Sequence, residues 1–353
     1  MKKIRKFITS ILSGVLALFV LFLGVIYLTN YHPQPIESLT ITKANNESII
    51  LEDEKYTIMT WNTGYAALGK EQDFFMDGGT RSGAFNKDEV IRNSTAIKSF
   101  LENQNTDIIL LQEVDISGKR SKNVNQYELY QDDNIYDSVF ATNYKNLFVP
   151  VPVTSPMGSV HSGIMTLSKF EINEAQRVSL NGKENFLVQL FELERCFIIT
   201  RFPVGERELV LINTHLSAFD KGGKIREQQL AQLKTLLMEE ITLGNYVILG
   251  GDFNHELPGT SSDDFTWTVP LPDWVEKFPT DFDLHNYSWA VDPNVPTVRS
   301  NEQAYIKDEN FVAIIDGFLV SNNIEIVEVK GIDLQFENSD HNPVILTFKL
   351  LPH

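Results

Sequence analysis

Residues 246–254 read YVILGGDFN, and the fold turns on this stretch. Tyr246 to Leu249 is a run of aromatic and branched side chains suited to a buried strand, and it stops almost at once in a carboxylate, Asp252, and an amide, Asn254. The same pattern recurs on both sides of it. YTIMTW ends in Asn62, DIILLQ in Glu113, LVLINT in His215 and FVAII in Asp316, while Asp340 and His341 stand just before PVILTF. A strand core followed directly by Asp, Glu, Asn or His sets those side chains at one rim of a sheet, where neighbouring strands can converge on a ligand. A single Asp or Asn there is ordinarily a turn former or a helix cap. Six such endings in sequence, alternating carboxylate, amide and imidazole, exceed what turn chemistry requires.

Further apolar runs lie between these: GIMTLSKF, FLVQLFEL, CFIITRF and IEIVEVKGI. Two stretches follow helical spacing instead. Lys87 to Asn103 keeps Val90, Ile91, Ala96, Ile97, Phe100 and Leu101 on a broad apolar face, and Lys224 to Leu243 does so with Ile225, Leu230, Leu233, Leu236 and Leu237. Many strands and few helices in mixed order predict a layered α/β or α+β domain. With 353 residues, 42% hydrophobic and 23 Phe, the chain can bury a large core, and 14 Pro with 20 Gly exclude a collagen-like or low-complexity polymer. No repeat of fixed period interrupts residues 56–353, which read as one catalytic-size domain. The single cysteine, Cys196, excludes an internal disulfide, a zinc cluster and an iron–sulfur site; within LERCFIIT it reads as a small buried apolar group on a strand.

Residues 1–28 set the expected location. Phe7 to Leu28 is 22 residues without a charge, roughly 33 Å as a helix, against a hydrocarbon core of about 30 Å. Lys2, Lys3, Arg5 and Lys6 precede it and no basic residue follows before Lys43, so the N-terminus is expected in the cytoplasm and the body outside the cell. The run is longer than a usual signal core and no small-x-small cleavage site follows, which favours an uncleaved anchor in the cell membrane. Residues 29–55, with Pro33 and Pro35, read as a linker. Past the anchor, 26 Lys and Arg face 47 Asp and Glu. So acidic a body disfavours tracking along nucleic acid by a basic surface, while its carboxylates can supply ligands for a cation.

The ordered set TWNTG (Asn62), LLQEVD (Glu113), SGIMTLSK (Ser162 to Lys169), NTHL (His215), GGDFN (Asp252, Asn254), IIDGFLVS (Asp316) and SDHNPV (Asp340, His341) resembles the endonuclease/exonuclease/phosphatase superfamily. That group spans deoxyribonucleases, abasic-site endonucleases, neutral sphingomyelinases and inositol polyphosphate 5-phosphatases, and the resemblance covers about Thr57 to Leu350. It implies a four-layer α/β sandwich: two packed, mostly antiparallel sheets with helices outside and the site at one rim.

A phosphodiester is anionic and resists hydroxide, so its hydrolysis calls for a cation, a positioned water and help for the leaving oxygen. Glu113, with Asn62 and Asp340, makes an oxygen-rich set suited to Mg²⁺ or Mn²⁺, and the resemblance makes Glu113 the principal ligand. It further implies that His341 acts as base with Asp316 fixing its ring, and that His215 acts on the phosphate or leaving group. By the same likeness Asp252 orients or deprotonates the water and Asn254 donates to a phosphoryl oxygen. The sequence leaves the division of base duty between Asp252 and His341 open.

His161 reads as a polar loop histidine, and His255 and Glu256 as solvated loop residues. Arg299 fits either a phosphate contact or a surface ion pair. Two insert-like stretches, Gly64 to Phe85 and Leu257 to Ala290, carry aromatics that can dock lipid, stack bases or fill core. The expectation is a membrane-anchored, metal-dependent phosphoester hydrolase acting on a phospholipid headgroup or small phosphoester. The alternatives are an exported nuclease acting on DNA and a catalytically silent binding module.

Overall fold

Apolar runs without alternation need cover on both faces, and the computed structural model, which describes residues 2–44, 48–132, 134–220, 222–282 and 284–352, supplies it in four layers. Along the chain the strands are β1 (Ile36–Ser38), β2 (Lys55–Asn62), β3 (Ile108–Gly118), β4 (Asp137–Val149), β5 (Gly158–Ser168), β6 (Glu174–Ser179), β7 (Cys196–Val204), β8 (Arg207–His215), β9 (Tyr246–Asp252), β10 (Tyr287–Ala290), β11 (Val298–Arg299), β12 (Val312–Ala313), β13 (Asp316–Ser321), β14 (Ile324–Gly331) and β15 (Val344–Leu350). The helices are α1 (Lys2–Thr29), α2 (Lys87–Gln104), α3 (Gln126–Tyr130), α4 (Phe186–Gln189) and α5 (Lys224–Thr242).

One sheet runs β1-β6-β7-β8-β9-β13-β10, the other β14-β15-β2-β3-β5-β4, and β11 pairs with β12 apart from both. Only β2 with β3 and β8 with β9 run parallel among these pairs. A parallel pair needs a crossover, and α2 and α5 are those two crossovers. Between the sheets, Ile58, Leu110 and Ile164 meet Ile198, Leu211, Ile248 and Phe318. On the outer face of the six-stranded sheet Met59, Trp61, Ile109 and Leu111 pack under Val90, Ile97 and Leu101 of α2. On the other outer face Val210, Ile212, Val247 and Leu249 pack under Leu230, Leu233 and Leu237 of α5. The expected sandwich is the observed one.

Register lines up the strand ends. His215 stands beside Asp252 in the β8–β9 pair, and Asp252 beside Asp316 in the β9–β13 pair. Across the sandwich Asn62 stands beside Gln112, one residue before Glu113.

Some local readings differ. FLVQLFEL forms α4 and a turn rather than a strand, because the Asn185 side chain accepts from the Val188 N–H and caps a helical turn. Ile91 is exposed, since the buried stripe of α2 runs through Val90, Ser94, Ile97 and Leu101. The segment read as a linker is threaded onto the body: β1 pairs with β6, and Ile50 enters the core between the sheets. Cys196 is buried in β7, as expected. Helix α1 is long and apolar enough to cross a membrane.

Candidate active site

The strand ends open into one cavity of about 660 Å³ lined by Asn62, Glu113, His215, Asp252, Asn254, Asp340 and His341. Asp316 lies directly behind His341, whose Nδ1 is 2.8 Å from Asp316 Oδ2. The carboxylate accepts, so the proton sits on Nδ1 and Nε2 is left as the working nitrogen. Burial opposes the charge on this ring, yet the Asp316 carboxylate and its hydrogen bond, then Asp252 and Asp340, hold the imidazolium up to about 10.

Asp252 is the hub. Its Oδ2 accepts from Asn62 Nδ2 at 3.0 Å and its Oδ1 from the Asn254 N–H at 2.9 Å. The same Oδ2 is 3.5 Å from His215 Nε2 and 3.9 Å from His341 Nε2. Burial first, and then the neighbouring Asp316 carboxylate, push Asp252 up to about 7. His215 is driven well below the usual imidazole range by burial, with Arg195 and His341 adding repulsion. Among the described residues its Nδ1 is buried without a hydrogen-bond partner, and so is Asp316 Oδ1.

Two expected roles acquire detail. The Asn62 amide is oriented by its Oδ1, which accepts from the Gly64 N–H at 3.0 Å, so its N–H side faces Asp252. Asn254 gives one amide hydrogen to the Leu216 carbonyl at 2.9 Å, keeping one for a ligand. Glu113 sits at φ 55°, a left-handed conformation at which a β-strand bulges. Its carboxylate accepts no hydrogen bond from the described residues, and burial raises it; Arg120 opposes that rise and Asp340 adds to it. Asp340 accepts from Asn301 Nδ2 at 2.7 Å.

An unpartnered carboxylate facing a second one, both with hard oxygen donors, fits a divalent cation of the Mg²⁺ or Mn²⁺ kind. Donor atoms of Asp252, Asp316 and His341 also lie within 4.8 Å of one another, a second grouping able to hold a metal.

Other readings are corrected. Arg299 is not a surface ion pair; fully buried at the cavity wall, it donates to the carbonyls of Leu68, Gly69, Gln72, Ser300 and Gln303. His255 and Glu256 are buried rather than solvated, because His255 Nδ1 bonds the Phe253 carbonyl and Glu256 accepts from the Ser262 N–H. His161 lies in β5 against Thr142, outside the cavity.

The cavity also holds residues that the strand-end pattern missed: Arg120, Arg195, Asn301 and Asp77. Arg120 pairs with buried Asp115 and stacks 3.8 Å from the Tyr65 ring centre. Arg195 is held by the Leu216 carbonyl at 2.6 Å. Asp77 accepts from Trp274 Nε1 at 3.0 Å, so the two insert-like stretches meet at the cleft, and burial above all pushes its carboxyl up to about 6. A basic residue before the β7 run was the available signal for Arg195, but nothing local separates it from a surface arginine.

Two face-packed sheets, capped by helices, carry carboxylates, amides and imidazoles at a common rim, the arrangement of a family of metal-dependent phosphoesterases and nucleases. The sequence matches the endonuclease/exonuclease/phosphatase family over residues 59–341, and the chain belongs to that family. Solved structures agree in fold. An endonuclease/exonuclease/phosphatase from Beutenbergia cavernae superposes with a TM-score of 0.56 at 16% identity, covering 84% of this chain and 72% of that one. Truncated TDP2 from Caenorhabditis elegans gives 0.52 at 16%, covering 85% and 100%. The family protein from Bacteroides vulgatus gives 0.53 at 14%, covering 84% and 100%. No curated protein matches the sequence.

Proposed function

We propose that the chain is a membrane-anchored hydrolase that cleaves the phosphoester of a phospholipid headgroup, or of a small phosphoester, by in-line attack of water. The observation that carries this reading is the cavity itself: a floor of Asn62, Glu113, Asp252 and His341 beneath walls that include Phe74, Met157, Leu187, Phe191 and Phe219. Apolar walls over a polar floor suit an amphiphile better than a polyanion. Glu113 and Asp340, with Asn62, would hold a divalent cation, which when bound neutralises phosphoryl oxygens and the charge on the leaving oxygen.

The chain's own groups supply the rest. Asp252, fixed by two donors, orients the water; His341 Nε2, with Asp316 behind it, takes or gives a proton; His215 meets the phosphate or leaving group. The second amide hydrogen of Asn254 and the guanidinium groups of Arg120 and Arg195 are available to phosphoryl oxygens. The four basic residues in the first turns of α1, ahead of its uncharged run, argue for a cytoplasmic N-terminus and an extracellular body.

A specific observation keeps a nuclease as the second reading, since one structure of this fold, D. rerio TDP2 at TM-score 0.52, is complexed with single strand DNA product. The test is one metal-supplemented assay of the full chain in detergent on phosphatidylcholine, sphingomyelin, inositol phosphates and supercoiled plasmid, with a chelator control. Metal-dependent release from lipid or small ester is expected. Plasmid nicking alone would replace the lipid reading, and no hydrolysis of any substrate would remove the enzyme.

A further inference from the structure

We propose that the rim of the cleft beside α1 lies within the interfacial layer of a zwitterionic bilayer, so that the cavity draws phospholipid from the membrane that holds α1. This deepens the function proposed above and rests on reading α1 as a membrane span.

The last two turns of α1 lean on the body. The Phe22 ring lies 6.3 Å edge-on from Phe148 and stacks 6.2 Å from Phe191, Tyr27 lies 6.1 Å from Phe186, and Ile26 is buried. Just past the helix Asn30 Nδ2 donates to the Leu190 carbonyl at 2.6 Å. Phe22 precedes Leu28, the end of the uncharged run, by six residues, which at 1.5 Å per residue is about 9 Å of helix. Body residues touching Phe22 therefore share its depth, inside the roughly 5–10 Å to which interfacial elements sink.

The surface around these contacts is apolar. The end of β4 and the turn to β5 expose Leu147, Phe148, Val151 and Val153, and α4 exposes Phe186 and Leu187; Val153 is 85% and Phe186 65% accessible. Two of the six, Val151 and Leu187, also line the cavity with the catalytic floor. The patch is thus continuous both with the membrane helix and with the substrate cavity. Charges beside it are Lys119, bonded to the Pro156 carbonyl, Lys145 on β4 and Lys183 at the cavity, against Glu184, Glu192 and Glu194 at the cavity, with Lys183 paired to Glu194 at 2.6 Å. These named charges balance, three against three, and zwitterionic headgroups match such a surface.

The test uses the full chain in phosphatidylcholine vesicles, labelled with an environment-sensitive fluorophore in the variants Val153→Cys, Phe186→Cys and, on the exposed side of α5, Thr235→Cys; native Cys196 is buried. Blue-shifted emission quenched by lipids with a nitroxide near the headgroup is expected at 153 and 186 and not at 235. Water-like, unquenched emission at 153 and 186 would overturn the proposal whether or not the protein hydrolyses anything. In parallel, Val153→Asp/Phe186→Asp should lower the rate on vesicle phosphatidylcholine at least about tenfold relative to a water-soluble phosphodiester. An unchanged ratio also overturns it, whereas a wild-type chain inert on both substrates but quenched at 153 and 186 upholds the docking and rejects only the hydrolase.

Discussion

Gly64 follows Asn62 by two positions at φ +51°, and a Cβ placed on it would come within 2.7 Å of Asp340 Oδ1. A side chain there meets strain and the carboxylate proposed to hold the cation together. Gly64→Ala is expected to keep the fold and weaken Mn²⁺ binding by about 10- to 100-fold, the range for groups that support metal ligands; calorimetric titration reads it, and an unchanged affinity would place the cation away from Asp340. At His341 the expected loss is in turnover: His341→Ala should lower kcat by at least about 10²-fold on a phosphodiester reporter. A mutant as fast as wild type removes the imidazole from the chemistry. His215 makes a prediction about stability. Burial, then Arg195, hold its folded pKa below the unfolded imidazole value, so below about pH 6.5 the unfolded chain binds a proton that the folded chain refuses. Its contribution is therefore complete above that pH and is lost as pH falls towards the folded value, with a slope of at most about 1.4 kcal/mol per pH unit. Urea titrations from pH 7.5 to 5 should show a shallower loss for His215→Gln than for wild type; parallel curves contradict the account.

Buried arginines tie loops between the strands to one another. Arg299 on β11 gathers carbonyls from Leu68 to Gln72 on one side and from Ser300 and Gln303 on the other, which holds the loop after Asn62 against the segment bearing Asn301. Removing the guanidinium strands several buried carbonyls at once, so Arg299→Leu should cost about 3 kcal/mol or more. The urea midpoint measures this, and a shift worth under about 0.5 kcal/mol would show that water replaces the clamp. Arg226 on α5 works similarly. It donates to the Asn254 and Trp274 carbonyls and pairs with Glu276 at 3.1 Å, tying the crossover helix to the turn that carries Asn254. Aromatics of the second insert mostly fill core, with Phe278 packed against Phe253 and Trp289, while Trp274 also reaches the cavity.

The whole molecule joins an acidic body to an apolar helix, yet two arginines stand at the cavity. Arg120 and Arg195 face the cavity while the chain carries a net charge of −17. Long-range repulsion of a polyanion and local attraction of one phosphate are compatible, because screening confines the first to about a Debye length of roughly 8 Å. For the anchor, protease added to intact cells is expected to degrade the body and leave the N-terminal tip; full protection reverses the orientation.

How far the sequence reached differs from element to element. Strand cores such as YVILGG, and helices α2 and α5, follow from short-range periodicity, since burial on one or both faces writes itself into side-chain spacing. The polar strand ends that line the cavity were legible for the same reason: a ligand-type residue closing a buried run stands out locally. Polarity alone could not tell that Arg299 is an internal clamp and Asn301, two residues on, the partner of Asp340. Nor could it place β1 in the sheet, make a helix of FLVQ, or bring Arg195 beside His215. Those outcomes depend on which distant carbonyls and carboxylates arrive next to each group. Residue types and their order determined the family and a list of candidate groups at the strand ends; packing decided which of them touch, because hydrogen-bond partners far apart in the chain become neighbours only when the two sheets close.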